Sequence, residues 1–252
     1  MARYILEVMY DGVCFHGSQI QGELATVQLA VNKAITTITR QTVETFGASR
    51  TDEGVHALSN FYHFDLDTPP IDSFLYKCNA IMPPGLAAVG LYTATDAFNA
   101  RFDAQSRSYR YRIYRAKNPF LANRAYHYPY RIDEDILNKT SIIIKENTHF
   151  KSFAKRNSQV KTFECNIYNT FWERNGEELH YCVTANRFLR GMVRGLVATQ
   201  LRAARGNFPA DHLEKIIAYE DCTKAFFDVP GHGLYLEQIK YPDGAMQLIQ
   251  KI

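Results

Sequence analysis

The residues between 108 and 115 alternate in character, and this alternation constrains the fold more than any other feature of the sequence. Tyr109, Tyr111 and Ile113 occupy every second position, and arginines and a tyrosine fill the positions between them. A period of two residues predicts a β-strand with one buried face. Such a face needs a covering layer, so we expect a sheet with helices packed against one side.

Strand and helix patterns follow one another along the whole chain, and the second half repeats the general plan of the first. Strands are predicted at residues 4–10, 43–46, 60–65, 86–94, 108–115, 165–173 and 178–185, and helices at 27–38, 74–81, 132–145, 187–205 and 210–219. Thr26 can cap the first helix, and Gly176 suits the turn of the last hairpin. We therefore predict an α+β fold of two similar halves, residues 1–104 and 105–252, each a mainly antiparallel sheet with helices on one face.

The composition bounds the class of protein and its location. Of the 252 residues, 46% are hydrophobic and 22% are charged, which is typical of a globular protein. No apolar run approaches the roughly 20 residues that span a bilayer, so a cytoplasmic protein with no membrane partner is expected. The five cysteines are widely spaced and none forms a Cys-x-x-Cys pair. This spacing argues against a structural zinc site and predicts reduced, mostly buried thiols.

One polar segment, residues 47–57, stands between two predicted strands and carries a single carboxylate of interest. Asp52 lies two residues after Arg50 and two residues before Gly54. Turns favour aspartate and glycine for local reasons, so an ordinary polar turn explains this pattern when it is taken alone. Loops mounted on a rigid sheet also carry much of the chemistry of proteins, which is the alternative interpretation.

Arginines are concentrated in two stretches of the second half. In the predicted helix 187–205 they recur at spacings of three, four, eight and three residues, with no acidic residue among them: Arg187, Arg190, Arg194, Arg202 and Arg205. A solvated helix face explains a charged stripe, but such faces normally mix signs. Contact with a polyanion, or an arginine aimed at a buried carboxylate, is the alternative. Residues 101–131 add Arg110 and further arginines interleaved with tyrosines, and together the two stretches suggest a central basic cleft for RNA.

Six segments, in order along the chain, carry a more specific pattern. They are residues 10–12 with 15–19, 49–57, 98–111, 149–153, 188–194 and 233–242. In sequence and order they resemble the motifs of the tRNA pseudouridine synthases of the A type. Five positions depart from those motifs: Ser18 replaces tryptophan, Ser49 glycine, Glu53 a small residue, Asn99 histidine and Lys151 aspartate.

The resemblance implies a site for isomerising uridine in RNA to pseudouridine without a cofactor or a metal. Asp52 is then the catalytic nucleophile or base, and Arg194 is the candidate partner that keeps it ionised, with a phosphate contact as the alternative. Tyr109 is the active-site tyrosine that can stack on a flipped uracil. Arg50 is expected to stabilise the flipped nucleotide, and Leu234 to form part of the apolar wall.

The resemblance also implies the partners. The substrate is the anticodon stem-loop of tRNA at positions 38, 39 and 40, and the family acts as a homodimer. The expected RNA contacts are Arg187, Arg190, Arg202, Arg205 and Arg110. A synthase acting at another RNA site, an RNA-binding protein without turnover and an aspartate-nucleophile phosphatase are the competing interpretations, although the last lacks the metal-binding acids it needs. His56 can serve either in acid–base chemistry or in holding the loop.

Overall fold

The computed structural model describes residues 1–156 and 160–252. Its elements, in chain order, are β1 (Ala2–Tyr10), α1 (Val27–Thr39), β2 (Phe46–Gly47), β3 (His56–Leu66), α2 (Phe74–Ile81), β4 (Leu86–Ala94), β5 (Ser106–Tyr114), β6 (Tyr126–His127), α3 (Glu134–Glu146), β7 (Ile167–Asn175), β8 (Glu178–Ala185), α4 (Met192–Ala204), α5 (His212–Ala218), β9 (Leu234–Lys240) and β10 (Gln247–Lys251). Helices and largely antiparallel strands confirm the predicted α+β class. None of the helices in the described part of the chain has the length and apolar character that a bilayer span requires.

The chain divides into two compact units, and the first of them is built from two separate stretches of sequence. One unit holds Met1–Gln105 together with Leu236–Ile252, and the other holds Ser106–Tyr235. The predicted halves place everything after residue 105 in the second half, whereas residues 236–252 group with the first unit. They do so in part because β10 pairs antiparallel with β4, with Gln247 opposite Thr93.

The first unit is built on an antiparallel sheet in the order β10–β4–β1–β3. β1 and β3 pair from Ala2 opposite Leu66 to Tyr10 opposite Ala57, with an irregularity between Val8 and Tyr10. Helix α1 begins after Thr26, whose side chain accepts the Leu29 N–H as predicted for a cap. The buried side of α1 consists of Val27, Val31, Ala34 and Ile35.

The predicted strand 43–46 is wrong for most of its length, because only Phe46–Gly47 forms a strand. Side chains of α1 bond instead to the backbone of Val43 and Thr45, which follow the helix. The Val43 N–H donates to Thr36 Oγ1, the Thr45 N–H donates to Asn32 Oδ1, and the Gln28 amide donates to the Thr45 carbonyl. Buried backbone groups need a hydrogen-bond partner, and here a helix supplies it in place of a strand.

The second unit contains the strands β5, β8 and β7, which pair antiparallel in that order. The short β6 pairs with β5 in parallel. The β7–β8 hairpin turns at Gly176, whose φ of +58° suits glycine, as the sequence predicts. Helix α3 packs on β7 and on α4.

Helix α4 differs from the predicted helix 187–205 at its start and in its exposure. It begins at Met192, after Gly191 adopts a φ of +75°, so Arg187 and Arg190 precede the helix. The Lys155 N–H donates to the Arg190 carbonyl at 3.0 Å, which fixes the chain in its non-helical path before Gly191. Within α4 only Arg194 and Arg202 are half-buried, and the other residues are buried. The predicted two-faced surface helix is therefore a core helix with two arginines at its edge.

The free cysteines agree with the prediction of mostly buried thiols. Cys78, Cys165 and Cys182 are buried, Cys222 is half-buried and Cys14 is exposed. Burial raises the pKa of the Cys78 thiol to about 12 and that of Cys165 to about 11. Thiols with such values are protonated and unreactive near neutral pH.

Candidate active site

Asp52 lies in the loop between β2 and β3 of the first unit, as the sequence predicts. The Val55 N–H donates to the Asp52 carbonyl at 3.2 Å and closes a tight turn. Gly54 takes a φ of +79° at the third position of that turn, a conformation that favours glycine. Asp52 is half-buried, and Arg50 on the same loop is exposed. The loop therefore presents a carboxylate at the edge of the protein interior and an arginine to solvent.

Thr51, the residue before Asp52, is held by hydrogen bonds on three of its polar groups. Its N–H donates to Ser18 Oγ at 2.8 Å, and its carbonyl accepts the Ser18 N–H at 3.1 Å. Its hydroxyl shares a hydrogen bond of 2.8 Å with the Tyr10 hydroxyl. Thr51, Ser18 and Tyr10 are all buried. Bonds of this kind in a buried site leave the backbone before Asp52 little freedom.

Asn60 on β3 joins the loop to the same cluster. Its amide oxygen accepts the Ser49 N–H at 3.3 Å, and its amide nitrogen donates to the Ser49 carbonyl at 3.1 Å and to the Tyr10 hydroxyl at 3.2 Å. Asn60 is completely buried. Ser49, one of the departures from the family motif, therefore has both its backbone groups bound to one side chain.

His56 holds the loop from its other end. It is 2% exposed, and its Nδ1 accepts the Gly12 N–H at 3.2 Å and lies 3.1 Å from Asp11 Oδ1. A Cβ at Gly12 would stand 2.1 Å from the Val55 carbonyl oxygen, so the two backbone segments touch. Of the two roles that the sequence left open for His56, these contacts support the holding of the loop.

Tyr109 lies on β5 in the second unit. It is buried, and its ring meets that of Phe188 edge to face with 5.1 Å between the centroids. Two residues further on, Tyr111 donates its hydroxyl to the Pro230 carbonyl at 2.8 Å. Burial raises the pKa of Tyr111 well above its ordinary value, and the positive charge of Arg194 opposes part of this rise. Two tyrosine rings therefore stand on one face of β5, Tyr109 against Phe188 and Tyr111 against the segment before β9.

Arg194 is positioned by the same segment. Its Nε and Nη2 both donate to the Val229 carbonyl, at 3.0 and 2.7 Å. A short 3₁₀ helix, Gly231–Gly233, follows and leads into Leu234, which is buried at the start of β9. Gly233 lies against the ring of Tyr111, where a Cβ would come within 2.6 Å of a ring carbon. A guanidinium, an apolar side chain and a tyrosine are thus fixed by a single stretch of backbone.

The other arginines predicted to bind RNA differ in how they are held. Arg202 forms an ion pair of 2.6 Å with Asp228 and lies 4.2 Å above the ring of Phe226. Arg205, just after α4, lies 3.5 Å above the ring of Tyr130. Pairing with Asp228 lowers the net charge that Arg202 adds to this surface.

The remaining three arginines differ from one another in their exposure and their contacts. Arg190 is exposed, Arg187 is half-buried, and Arg110 approaches Glu173 at 3.9 Å. The predicted helical stripe is therefore not a single row of charges, because its first two members lie outside the helix.

The predicted site residues fall into two groups. Arg50 and Asp52 belong to the first unit, and Tyr109, Arg194 and Leu234 belong to the second. Three further residues hold the Asp52 loop through their side chains, and the sequence patterns predict no role for them: Tyr10, Ser18 and Asn60. Tyr10 and Ser18 lie in the first of the six motif segments, and this position is the signal from which a role could have been predicted. Asn60 had no such signal, because it lies outside every motif.

Comparison with known proteins adds an independent observation. A family profile described as tRNA pseudouridine synthase matches residues 147–242. The chain is 36% identical to a tRNA pseudouridine synthase A of Parabacteroides distasonis over 245 residues, covering 96% of this chain and 97% of the relative. It is 37% identical to that of Bacteroides thetaiotaomicron (96% and 92% covered) and 33% identical to that of Caldicellulosiruptor bescii (96% and 100% covered). Similarity of this extent, over nearly the full length, shows that the chain belongs to the tRNA pseudouridine synthase A family.

Proposed function

We propose that this protein isomerises uridine to pseudouridine at positions 38, 39 and 40 of the anticodon stem-loop of tRNA, with Asp52 as the catalytic nucleophile. Membership of the family supports the reaction and the class of substrate. The observation that carries the assignment of Asp52 is the way its loop is held: the residue before it is bound at its N–H, carbonyl and hydroxyl by two buried residues, Ser18 and Tyr10. Fixed geometry of this kind is what a nucleophile requires.

The reaction needs a single ionised carboxylate and no redox partner. The bond from the sugar to the uracil nitrogen breaks, the uracil turns, and a carbon–carbon bond forms to the same sugar, so no atom is lost. The target uridine must first leave its stack to reach Asp52. Burial by the RNA disfavours a charged carboxylate, and in this proposal the guanidinium of Arg194 offsets that cost by pairing with Asp52.

The remaining site residues bind and orient the flipped nucleotide. In this proposal Tyr109 stacks on the uracil, Leu234 forms part of the apolar wall, and Arg50 holds a phosphate. Arg187, Arg190, Arg202, Arg205 and Arg110 contribute to a basic cleft between two similar halves, in which the RNA phosphates lie. We further propose that the protein acts in the cytoplasm as a homodimer.

The test uses purified protein, unmodified tRNA carrying uridines at positions 38–40, and no added cofactor or metal. Pseudouridine is mapped by primer extension after carbodiimide treatment, with the Asp52→Ala variant in parallel. We expect stops at positions 38–40 that the variant does not produce. Stops at other positions would contradict the proposed site on the tRNA, and tight binding without any stop would favour an RNA-binding protein without turnover.

A further inference from the structure

Ser18 stands where the family motif has tryptophan, and the contacts of this serine involve the residue that precedes Asp52. Its Oγ accepts the Thr51 N–H at 2.8 Å and lies 3.5 Å from the Thr51 carbonyl oxygen, which also accepts the Ser18 N–H at 3.1 Å. The side chain is 2% exposed. The backbone of Thr51 is thus bound in both directions by one residue that is 33 positions away in sequence.

Ser18 is itself fixed to the beginning of helix α1. The Ser18 carbonyl accepts the Gln28 N–H at 3.0 Å, and the Gly17 carbonyl accepts the Val27 N–H at 3.3 Å. Gly17 takes a φ of +83°, and a Cβ there would lie 3.0 Å from the Thr51 carbonyl oxygen. The first N–H groups of a helix have no partner within the helix, so these bonds anchor Ser18 firmly.

These contacts form a continuous path from α1 through Ser18 to Thr51 and its neighbour Asp52. Thr51 keeps its bond to the Tyr10 hydroxyl when the Ser18 hydroxyl is removed, but its N–H then has no acceptor in a buried place. An unsatisfied buried N–H is costly, and the loop relieves that cost by moving. A movement of about 1 Å at a reacting group is enough to slow a reaction about a hundredfold.

We propose that Ser18 is a positioning residue, which holds the carboxylate of Asp52 in its reactive orientation through the backbone of Thr51. The inference rests on the proposed function, because it takes Asp52 as the nucleophile. It assigns to Ser18 a role in the rate of the chemical step and none in the affinity for tRNA.

The experiment compares Ser18→Ala with Ser18→Thr, which keeps the hydroxyl, and with Ser59→Ala. Ser59 is a matched control because its hydroxyl donates at 2.7 Å to Glu7 on β1 in the same unit, and not to Thr51. For each variant the measurements are the single-turnover rate of pseudouridine formation, the Kd for tRNA, the melting temperature, and the amide hydrogen exchange of Thr51.

We expect Ser18→Ala to slow the single-turnover rate by about tenfold to a hundredfold, with a Kd within about threefold of wild type. Exchange of the Thr51 amide should accelerate about tenfold or more, because its acceptor is gone. Ser18→Thr and Ser59→Ala should keep rates within about threefold of wild type. If Ser18→Ala does not fold, Ser18→Cys takes its place, because a thiol is a much weaker acceptor for the Thr51 N–H than a hydroxyl. Its rate should then fall with an unchanged Kd, and a rate equal to wild type overturns the inference.

A Ser18→Ala rate equal to wild type, or an equal loss in Ser59→Ala, would overturn the inference. These outcomes are distinct from a failure of the proposed function. In that case wild type itself forms no pseudouridine, or Asp52→Asn forms it as fast as wild type.

Discussion

The Asp52 loop of the first unit and the arginine segment of the second unit, residues 187–205, are held by different kinds of interaction. The backbone of the loop is bound by neutral hydrogen bonds to Ser18 and Asn60, and the Thr51 hydroxyl by one to Tyr10, all three of them buried. In the arginine segment, exposed or half-buried guanidiniums rest on aromatic rings or pair with an acid, as at Arg205 and Arg202.

This difference matches what the two regions are proposed to do. A reacting carboxylate loses rate with small displacements, so its support must be rigid. Phosphate contacts contribute by number and tolerate movement, because long side chains follow the nucleic acid backbone. The comparison therefore predicts that damage to the loop affects the reaction, and damage to the arginines affects binding and its dependence on salt.

Among the residues that support the Asp52 loop, the largest effect is expected at Gly12. Gly12→Ala places a methyl group 2.1 Å from the Val55 carbonyl oxygen, where only backbone movement can relieve the clash. We expect a loss of about 2 kcal/mol or more in the free energy of unfolding, and a comparable loss of turnover. The measurements are chemical denaturation and the rate of pseudouridine formation.

Gly22→Ala is the control for Gly12→Ala. Gly22 has a φ of +54°, and a Cβ there meets nothing within 4 Å. It should cost only the backbone strain of about 1 kcal/mol and leave the rate unchanged. Equal behaviour of the two variants would show that the close approach at Gly12 does not matter.

The second effect concerns the Tyr10 hydroxyl. Tyr10→Phe leaves both the Thr51 hydroxyl and the Asn60 amide without this partner, at a cost of about 1–3 kcal/mol. Tyr92→Phe is the matched control, since the Tyr92 hydroxyl donates at 2.7 Å to Glu7, away from the Asp52 loop. We expect both variants to have a lower melting temperature than wild type, and only Tyr10→Phe to form pseudouridine more slowly. An equally low rate of pseudouridine formation in Tyr92→Phe would show that the rate loss comes from lower stability and not from the Asp52 loop.

The third effect concerns the arginine segment, residues 187–205. Arg190→Ala and Arg205→Ala should each weaken tRNA binding and lower the slope of log K against log salt by about one. Arg174→Ala is the control, because Arg174 already pairs with Glu134. Filter binding at four salt concentrations measures the slope. An unchanged slope for both variants would place these arginines away from the RNA.

The smallest effect is expected from a partly exposed ion pair, Arg3–Asp65. The hydrogen bond from Arg3 lowers the pKa of Asp65 below its ordinary value of 3.8. A carboxyl with a depressed pKa stabilises the fold above that ordinary value, and the contribution is lost as the pH falls through the folded pKa. Asp65→Asn should therefore lower the stability by less than about 1 kcal/mol at pH 7, and by nothing at a pH below the folded pKa. A difference that persists in acid would point to packing instead of charge.

Much of the fold follows from local patterns. Helix 74–81 and strand 86–94 are predicted to the residue, because their apolar spacing and the flanking prolines act over a few positions. The cap at Thr26 is predicted for the same reason. The Asp52 loop is also predicted as a loop between strands, with its carboxylate and its glycine.

The features that the sequence does not predict correctly depend on contacts between distant parts of the chain. Residues 43–45 do not form the predicted strand, because side chains of α1 take the hydrogen bonds of Val43 and Thr45. Helix α4 begins late because Lys155, some 35 residues earlier, binds the Arg190 carbonyl. The bonds from Asn60 to Ser49 in the Asp52 loop have no local pattern either, since a buried asparagine in a strand carries no signal of its partner.

The central claim is that one carboxylate carries the reaction while many arginines carry the binding. It is tested most directly by measuring, for Asp52→Asn, both the single-turnover rate of pseudouridine formation and the Kd for tRNA. We predict a rate lower than wild type by at least about a thousandfold and a Kd within about threefold, because the substitution removes the nucleophile and leaves the phosphate contacts in place. A rate near that of wild type would contradict the claim.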